Sequence, residues 1–176
     1  MDLVDLLFWL GLLFLAGTYV SWRAGRLDRL HARVDLAKAA LDAALVRRAA
    51  VALELALSRL LDPATSLVLA TAAHEARTAD AESREFAESD LSRALRAVLE
   101  QPEFRATLEA KPNGLALLEE LAATAQKTAL ARRFFNDAVS ATRIARRRIL
   151  ARVLPLAGRA PLPEFFEIDD VPPDVQ

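Results

Sequence analysis

From Leu6 to Trp22 the chain reads LLFWLGLLFLAGTYVSW, a run with no charged side chain. About 17 residues make roughly 25 Å of helix, and Leu3 and Val4 extend the run toward the roughly 20 residues that a bilayer core needs. Trp9 lies near one end, and Tyr19 and Trp22 near the other, as amphipathic rings do at membrane–water boundaries. The spacing predicts a transmembrane helix anchored through Leu6, Leu7, Phe8, Trp9, Leu10, Leu12, Leu13, Phe14, Leu15, Tyr19, Val20 and Trp22. Asp2 and Asp5 precede the run, whereas Arg23, Arg26 and Arg29 follow it. The positive-inside rule then puts the N-terminus outside and the remaining chain in the cytoplasm, on the cell membrane in a single pass. A cleaved signal peptide would start basic and end in a small-x-small site, and neither feature is present. A buried core helix is the other reading. Gly17, Ser21 and Gly25 recur every four residues, a spacing through which two such helices could approach closely as a homo-oligomer.

Beyond the anchor the chain is rich in Ala and Leu, with Gly 5, and these residues favour helix because they lose little side-chain freedom in it. No short run rich in Val, Ile, Thr and aromatics lies between turn signals, so no sheet is expected. Leu27, Leu30, Val34, Ala37, Leu41 and Ala44 form a 3,4 seam. With no breaker after Trp22, one helix is predicted from the anchor to Asp62-Pro63, where Pro ends it and Asp62 caps the next.

A second helical region is predicted from about Pro63 to Glu100. Its mixed, charged middle, Arg77 to Ser92, reads as solvated or frayed, with a break near Asp90 as an option. Gln101-Pro102 and Lys111-Pro112-Asn113-Gly114 mark a turn region. The final helix, Leu115 to about Leu154, carries a seam of mainly small residues at Leu117, Leu121, Thr124, Thr128, Ala131, Phe135, Ala138, Thr142, Ala145 and Ile149, suited to packing against Leu41, Leu45 and Leu55. Pro155, Pro161, Pro163 and Pro172-Pro173 exclude further helix, leaving an extended tail expected to dock through Phe165 and Phe166. The expected fold is all-α. A transmembrane helix (1–25) continues into an elongated antiparallel bundle of three to four long helices (26–154) with a Pro-rich tail (155–176).

Net charge is −1 and Cys is 0, which gives no general attraction to nucleic acid and removes thiolate chemistry. HEART at 74–78 has the first half of a zinc-protease motif, but Thr78 stands where the second imidazole must be. Thr71, three before His74, likewise fails the Glu-x-x-His of a di-iron bundle. No phosphate loop or G-x-S-x-G elbow is present. No catalytic, cofactor or metal residues are therefore expected. His74 and Glu75 remain either a helix-face polar contact or part of a polar site with Arg132 and Asn136. The basic residues Arg143, Arg146, Arg147, Arg148, Arg152 and Arg159 form either a solvated face or a surface for anionic lipid or an acidic partner. Arginines of the last helix are expected to cover apolar surface with their stems and to pair with Asp80, Glu82, Glu85, Glu88 and Asp90. Asn136, beside the seam at Phe135, is expected to fix the register of packed helices.

ARRFFNDAV at 131–139 resembles the signature of LemA family proteins. RLHARVDLAKAALDAALVRR at 29–48 looks like that family's first cytoplasmic helix, LEQPEFRA at 99–106 like its Tyr-Pro turn, and LPLAGRAPLPEFFEIDD at 154–170 is similar to its Pro-bearing tail. The resemblance covers most of the chain and marks Arg47, Arg48, Arg132, Phe135, Asn136, Val139, Phe165, Phe166 and Glu167. It departs at Ala49 to Leu55, AAVALEL, where the family usually reads Asp-Leu-Ile-Pro-Asn-Leu-Val, and at Thr142-Arg143-Ile144. The resemblance implies a divergent, membrane-anchored helical bundle in contact with lipid and unidentified protein partners. Its expected role is a non-enzymatic scaffold or adaptor. An accessory or hydrolytic protein and an electrostatic lipid sensor are the alternatives.

Overall fold

The computed structural model describes residues 3–101, 104, 106, 110, 114–147 and 161–170. Asp2, the Arg23 side chain, Pro102, 111–113, Arg148, Ile149, Arg152, Leu154, Pro155, Arg159 and Pro172-Pro173 lie outside the described residues. Among those described, all regular structure is helical: α1 (Leu3–Leu57), α2 (Pro63–Thr78), α3 (Arg84–Leu99) and α4 (Gly114–Arg147). The chain is an all-α helical bundle, as its composition predicts. It divides into two compact units, Met1–Leu36 with Asp137–Glu164, and Ala37–Asn136 with Phe165–Gln176.

In the first unit, Leu27 and Val34 of α1 and Ala138, Val139 and Thr142 of α4 are buried. The Thr142 hydroxyl donates to the Ala138 carbonyl at 2.9 Å, which satisfies it inside the seam. The apolar stretch near the start of α1 is long enough to cross a membrane and is wholly unburied. Leu13 and Phe14 are 72% and 74% exposed, so this stretch does not serve as a core helix. At Gly17 nothing lies within 4 Å of an added Cβ, which leaves the Gly17–Ser21–Gly25 face open there.

In the second unit the α1 seam continues through Leu41, Leu45, Ala49, Ala52, Leu55 and Ala56, all buried. With Leu69 and Ala73 of α2, Leu91, Leu95 and Val98 of α3, Phe104, and Leu118 and Leu121 of α4, Leu55 belongs to one hydrophobic core. Pairs between Asp42 and Arg84, and between Arg48 and Glu88, make α1 and α3 parallel. Arg47 pairs with Glu120 and Ala44 faces Thr128, so α4 runs antiparallel to α1.

Two boundaries differ from expectation. α1 ends at Leu57, not at Asp62-Pro63. There the Ser58 hydroxyl donates to the Leu55 carbonyl at 2.6 Å, and Arg59 takes a left-handed φ of 59°, the conformation that commonly terminates helices. Asp62 still caps α2, accepting from the Ala64 and Thr65 N–H groups at 3.0 and 3.1 Å ahead of Pro63. Hydrogen bonds from the Thr65 side chain and backbone hold its carboxyl below the usual range. The predicted second helix is two helices, and the break falls at 79–83 rather than near Asp90. Asp80 makes the break by accepting from the Ser83 N–H at 2.9 Å and hydroxyl at 2.6 Å, a side-chain turn that competes with helix. α2 and α3 then pack against each other as a helical hairpin.

Candidate functional site

The mixed segment expected to be solvated holds the most buried ion pair among the described residues. On α3, Ala87, Glu88, Leu91, Ser92, Leu95 and Val98 form the buried face, so Glu88 and Ser92 sit one turn apart within an apolar stripe. Arg48 of α1 is 3% exposed and fills that gap. Its guanidinium donates to Glu88 Oε2 at 2.5 Å, to the Glu88 carbonyl at 3.0 Å and to Ser92 Oγ at 2.8 Å. Ser92 Oγ in turn donates to the Glu88 carbonyl at 3.0 Å. Burial pushes the Glu88 carboxyl above its ordinary value, against the opposing charge and hydrogen bond of Arg48. Arg48 Nε is buried without a hydrogen-bond partner, and Arg48 lines a cavity of about 20 Å³ together with Ser92, Asp170 and apolar Leu95, Leu99 and Leu121.

The tail segment 161–170 is extended, as its prolines require. From Phe166 on it lies along α3 and α4, held by side chains of both. Asn136 accepts from the Phe166 N–H at 2.9 Å and donates to the Phe166 carbonyl at 3.1 Å, so one amide pairs with both backbone groups of one residue. From α3, Glu85 accepts from the Glu167 N–H at 2.8 Å and Ser89 from the Asp169 N–H at 3.1 Å. Arg96 forks onto the Asp169 carboxylate, and that hydrogen bond raises the Arg96 pKa further. Arg132 of α4 forks onto Asp170 at 2.6 and 3.0 Å and lies 3.7 Å from Glu167. Such two-point Arg–carboxylate pairs fix orientation as well as charge.

Several sequence expectations change here. Asn136 holds the tail rather than the register of two helices. Arg132 pairs with the tail acids, not with the acidic run of α3; Glu88 there belongs to Arg48, Asp90 to Arg93, and Glu85 to the tail backbone. Phe166 is half-buried and Phe165 is 41% exposed, and polar contacts hold the tail beside them. His74 and Glu75 are exposed on α2 and make no hydrogen bond to Arg132 or Asn136. Phe135 and Val139 are buried packing residues. Arg47 is exposed and pairs with Glu120, while the exposed Glu167 side chain meets only the edge of Arg132. Arg146 donates to the Pro161 carbonyl at 2.9 Å, Arg143 is half-buried and Arg147 is exposed.

Sequence reasoning gave Glu88 the wrong partner and missed Ser92, Arg96, Asp169 and Asp170. The available signal for Glu88 and Ser92 was their spacing of four beside Leu91 and Leu95, which puts them on the apolar face. Among the described residues, no group of three His, Asp or Glu side chains is placed to hold a metal ion. No family model matches the chain, and no curated protein or solved structure is found similar to it.

Proposed function

We propose that this chain is a divergent LemA-type, single-pass membrane protein whose helical bundle acts in the cytoplasm as a non-enzymatic scaffold or adaptor for an envelope-associated complex. The observation that carries the reading is the contrast along α1. Its first turns leave every large apolar side chain from Leu3 to Leu15 exposed, whereas its later turns bury Leu41, Leu45 and Leu55 in a core. One helix thus carries a lipid-compatible surface at one end and a protein interior at the other. The flanking charges, Asp5 before and Arg26 and Arg29 after, support a cytoplasmic bundle. The buried charged groups Arg48 and Glu88 are engaged with each other, and Ser92 is held between Arg48 and the Glu88 carbonyl, with no imidazole beside it to act as a base. That favours a structural part over a catalytic one.

Crosslinking of the full chain in intact membranes, followed by identification of what it captures, tests the scaffold role. The expected result is a reproducible protein partner retained after detergent extraction. Repeated recovery of the chain with neither partner nor self-association would sink it. Protease added to sealed inside-out vesicles should digest the bundle, and protection there would refute the orientation.

A further inference from the structure

The tail of this protein is held in an unusual way for a segment that merely packs. Over the four residues Phe166 to Asp169, the N–H groups of Phe166, Glu167 and Asp169 are each accepted by a side chain: Asn136, Glu85 and Ser89. Helices have spent their own backbone groups on themselves, so they can grip an extended strand's backbone only with side chains, and here two helices supply them. Asn136 reproduces a strand partner by pairing with both the N–H and the carbonyl of Phe166. Arg96 and Arg132 add charge selection for two successive acids, Asp169 and Asp170. Backbone hydrogen bonds that fix an extended chain, combined with defined side-chain sites, are the ingredients of peptide recognition. The segment is not sealed into the core: Phe166 and Ile168 are half-buried rather than buried, and Phe165 is 41% exposed. Each such hydrogen bond replaces one to water and so stabilises only modestly, which makes the tail exchangeable rather than part of the core.

We propose that the groove between α3 and α4 is a recognition site for an extended acidic peptide of a partner protein, with the pattern aromatic-Glu-x-Asp-Asp, and that the protein's own 165–170 segment occupies it as a competitor in cis. The partner is assigned by charge complementarity, two arginine forks spaced for neighbouring carboxylates, and by the backbone pairing at Asn136. A tethered competitor acts at an effective concentration of order millimolar, so it sets a threshold that a partner peptide must exceed. The proposal stands on this groove alone and does not depend on membrane insertion.

The test uses the full chain in detergent micelles and a fluorescent synthetic peptide of residues 161–170. Weakening the tail from its own side, with Asp169→Asn and Asp170→Asn in the protein, should raise affinity for the wild-type peptide about tenfold or more relative to the unaltered protein. On that tail-weakened protein, Arg132→Gln should abolish the gain. Peptides are varied too, so that no conclusion depends on a protein variant folding. A Phe166→Pro peptide, which lacks the N–H that Asn136 accepts, should bind at least tenfold more weakly, and a scrambled peptide of the same composition should bind more weakly still. Equal binding of the scrambled peptide would reduce the groove to a general basic surface and overturn the proposal. Equal affinity of wild-type and tail-weakened protein would overturn it as well. Conversion of a dimer into monomers by the tail substitutions would show instead that the occupant is a second copy's tail.

Discussion

Arg48 and Glu88 show what one misplaced charge costs. Both are nearly fully buried, so each depends on the other to offset its lost hydration. Glu88→Leu should destabilise the bundle by about 3–5 kcal/mol, since it strands a buried guanidinium, whereas Arg48→Met with Glu88→Leu should fall near wild type or above it. Denaturant titration of Glu88→Leu, Arg48→Met and the double variant checks this, and additive losses would show the pair to be independent. The pH dependence has a definite sign. The folded state raises the Glu88 carboxyl above its ordinary value of 4.5 because burial outweighs Arg48. A raised value means that the folded state binds the proton more tightly, so this group's contribution is complete below about pH 4.5 and is lost as pH rises through the raised value. Measured against Glu88→Gln, which does not titrate, wild-type stability should therefore decline across that window. A relative gain there would mean that the ion pair dominates.

The elements were legible where one local cue decided them. Leu27, Val34 and Leu41 lie in a 3,4 seam and are buried; Asp62-Pro63 starts α2 as capping chemistry requires. The end of α1 was not legible, because Arg59 adopts a conformation usually reserved for glycine, and nothing in its side chain announces that. Arg59→Gly should accordingly stabilise the protein by about 0.5–1 kcal/mol, read as a higher denaturation midpoint with an unchanged slope. The break at 79–83 was present in the sequence as Asp80 followed by Ser83, but the charged surroundings read equally well as a solvated helix. Asp169, Asp170 and the true partner of Glu88 were hidden for a different reason. A carboxylate on a wet face and one awaiting an arginine 40 or 73 positions away have the same local sequence, so only the tertiary pairing distinguishes them. Arg132, Asn136, Phe166 and Glu167 stood out by resemblance, yet the pairing of Asn136 with Phe166 and the Asp170 partner of Arg132 did not.

For the molecule as a whole, the apolar start of α1 and the cores of the two units ask for different solvents. If lipid covers Leu3 to Trp22, a charge in the middle of that stretch should weaken membrane insertion without touching either core. Leu13→Arg, at a site 72% exposed, is expected to cost insertion about 2.5–3.5 kcal/mol. The measurement is the fraction retained with membranes after an alkaline wash, alongside an unchanged helical circular dichroism signal. Full retention of the variant would count against a spanning segment.

The Arg48 contacts also limit how the bundle can go wrong. Sliding α3 along α1 by one helical turn, about 5.4 Å, would still bury leucine against leucine, and the oily surfaces alone would scarcely object. It would, however, carry Glu88 and Ser92 away from the guanidinium and leave two ions facing hydrocarbon. The pair thus works like the notch on a vernier scale, giving a sequence of interchangeable alanines and leucines one alignment that is cheaper than its neighbours.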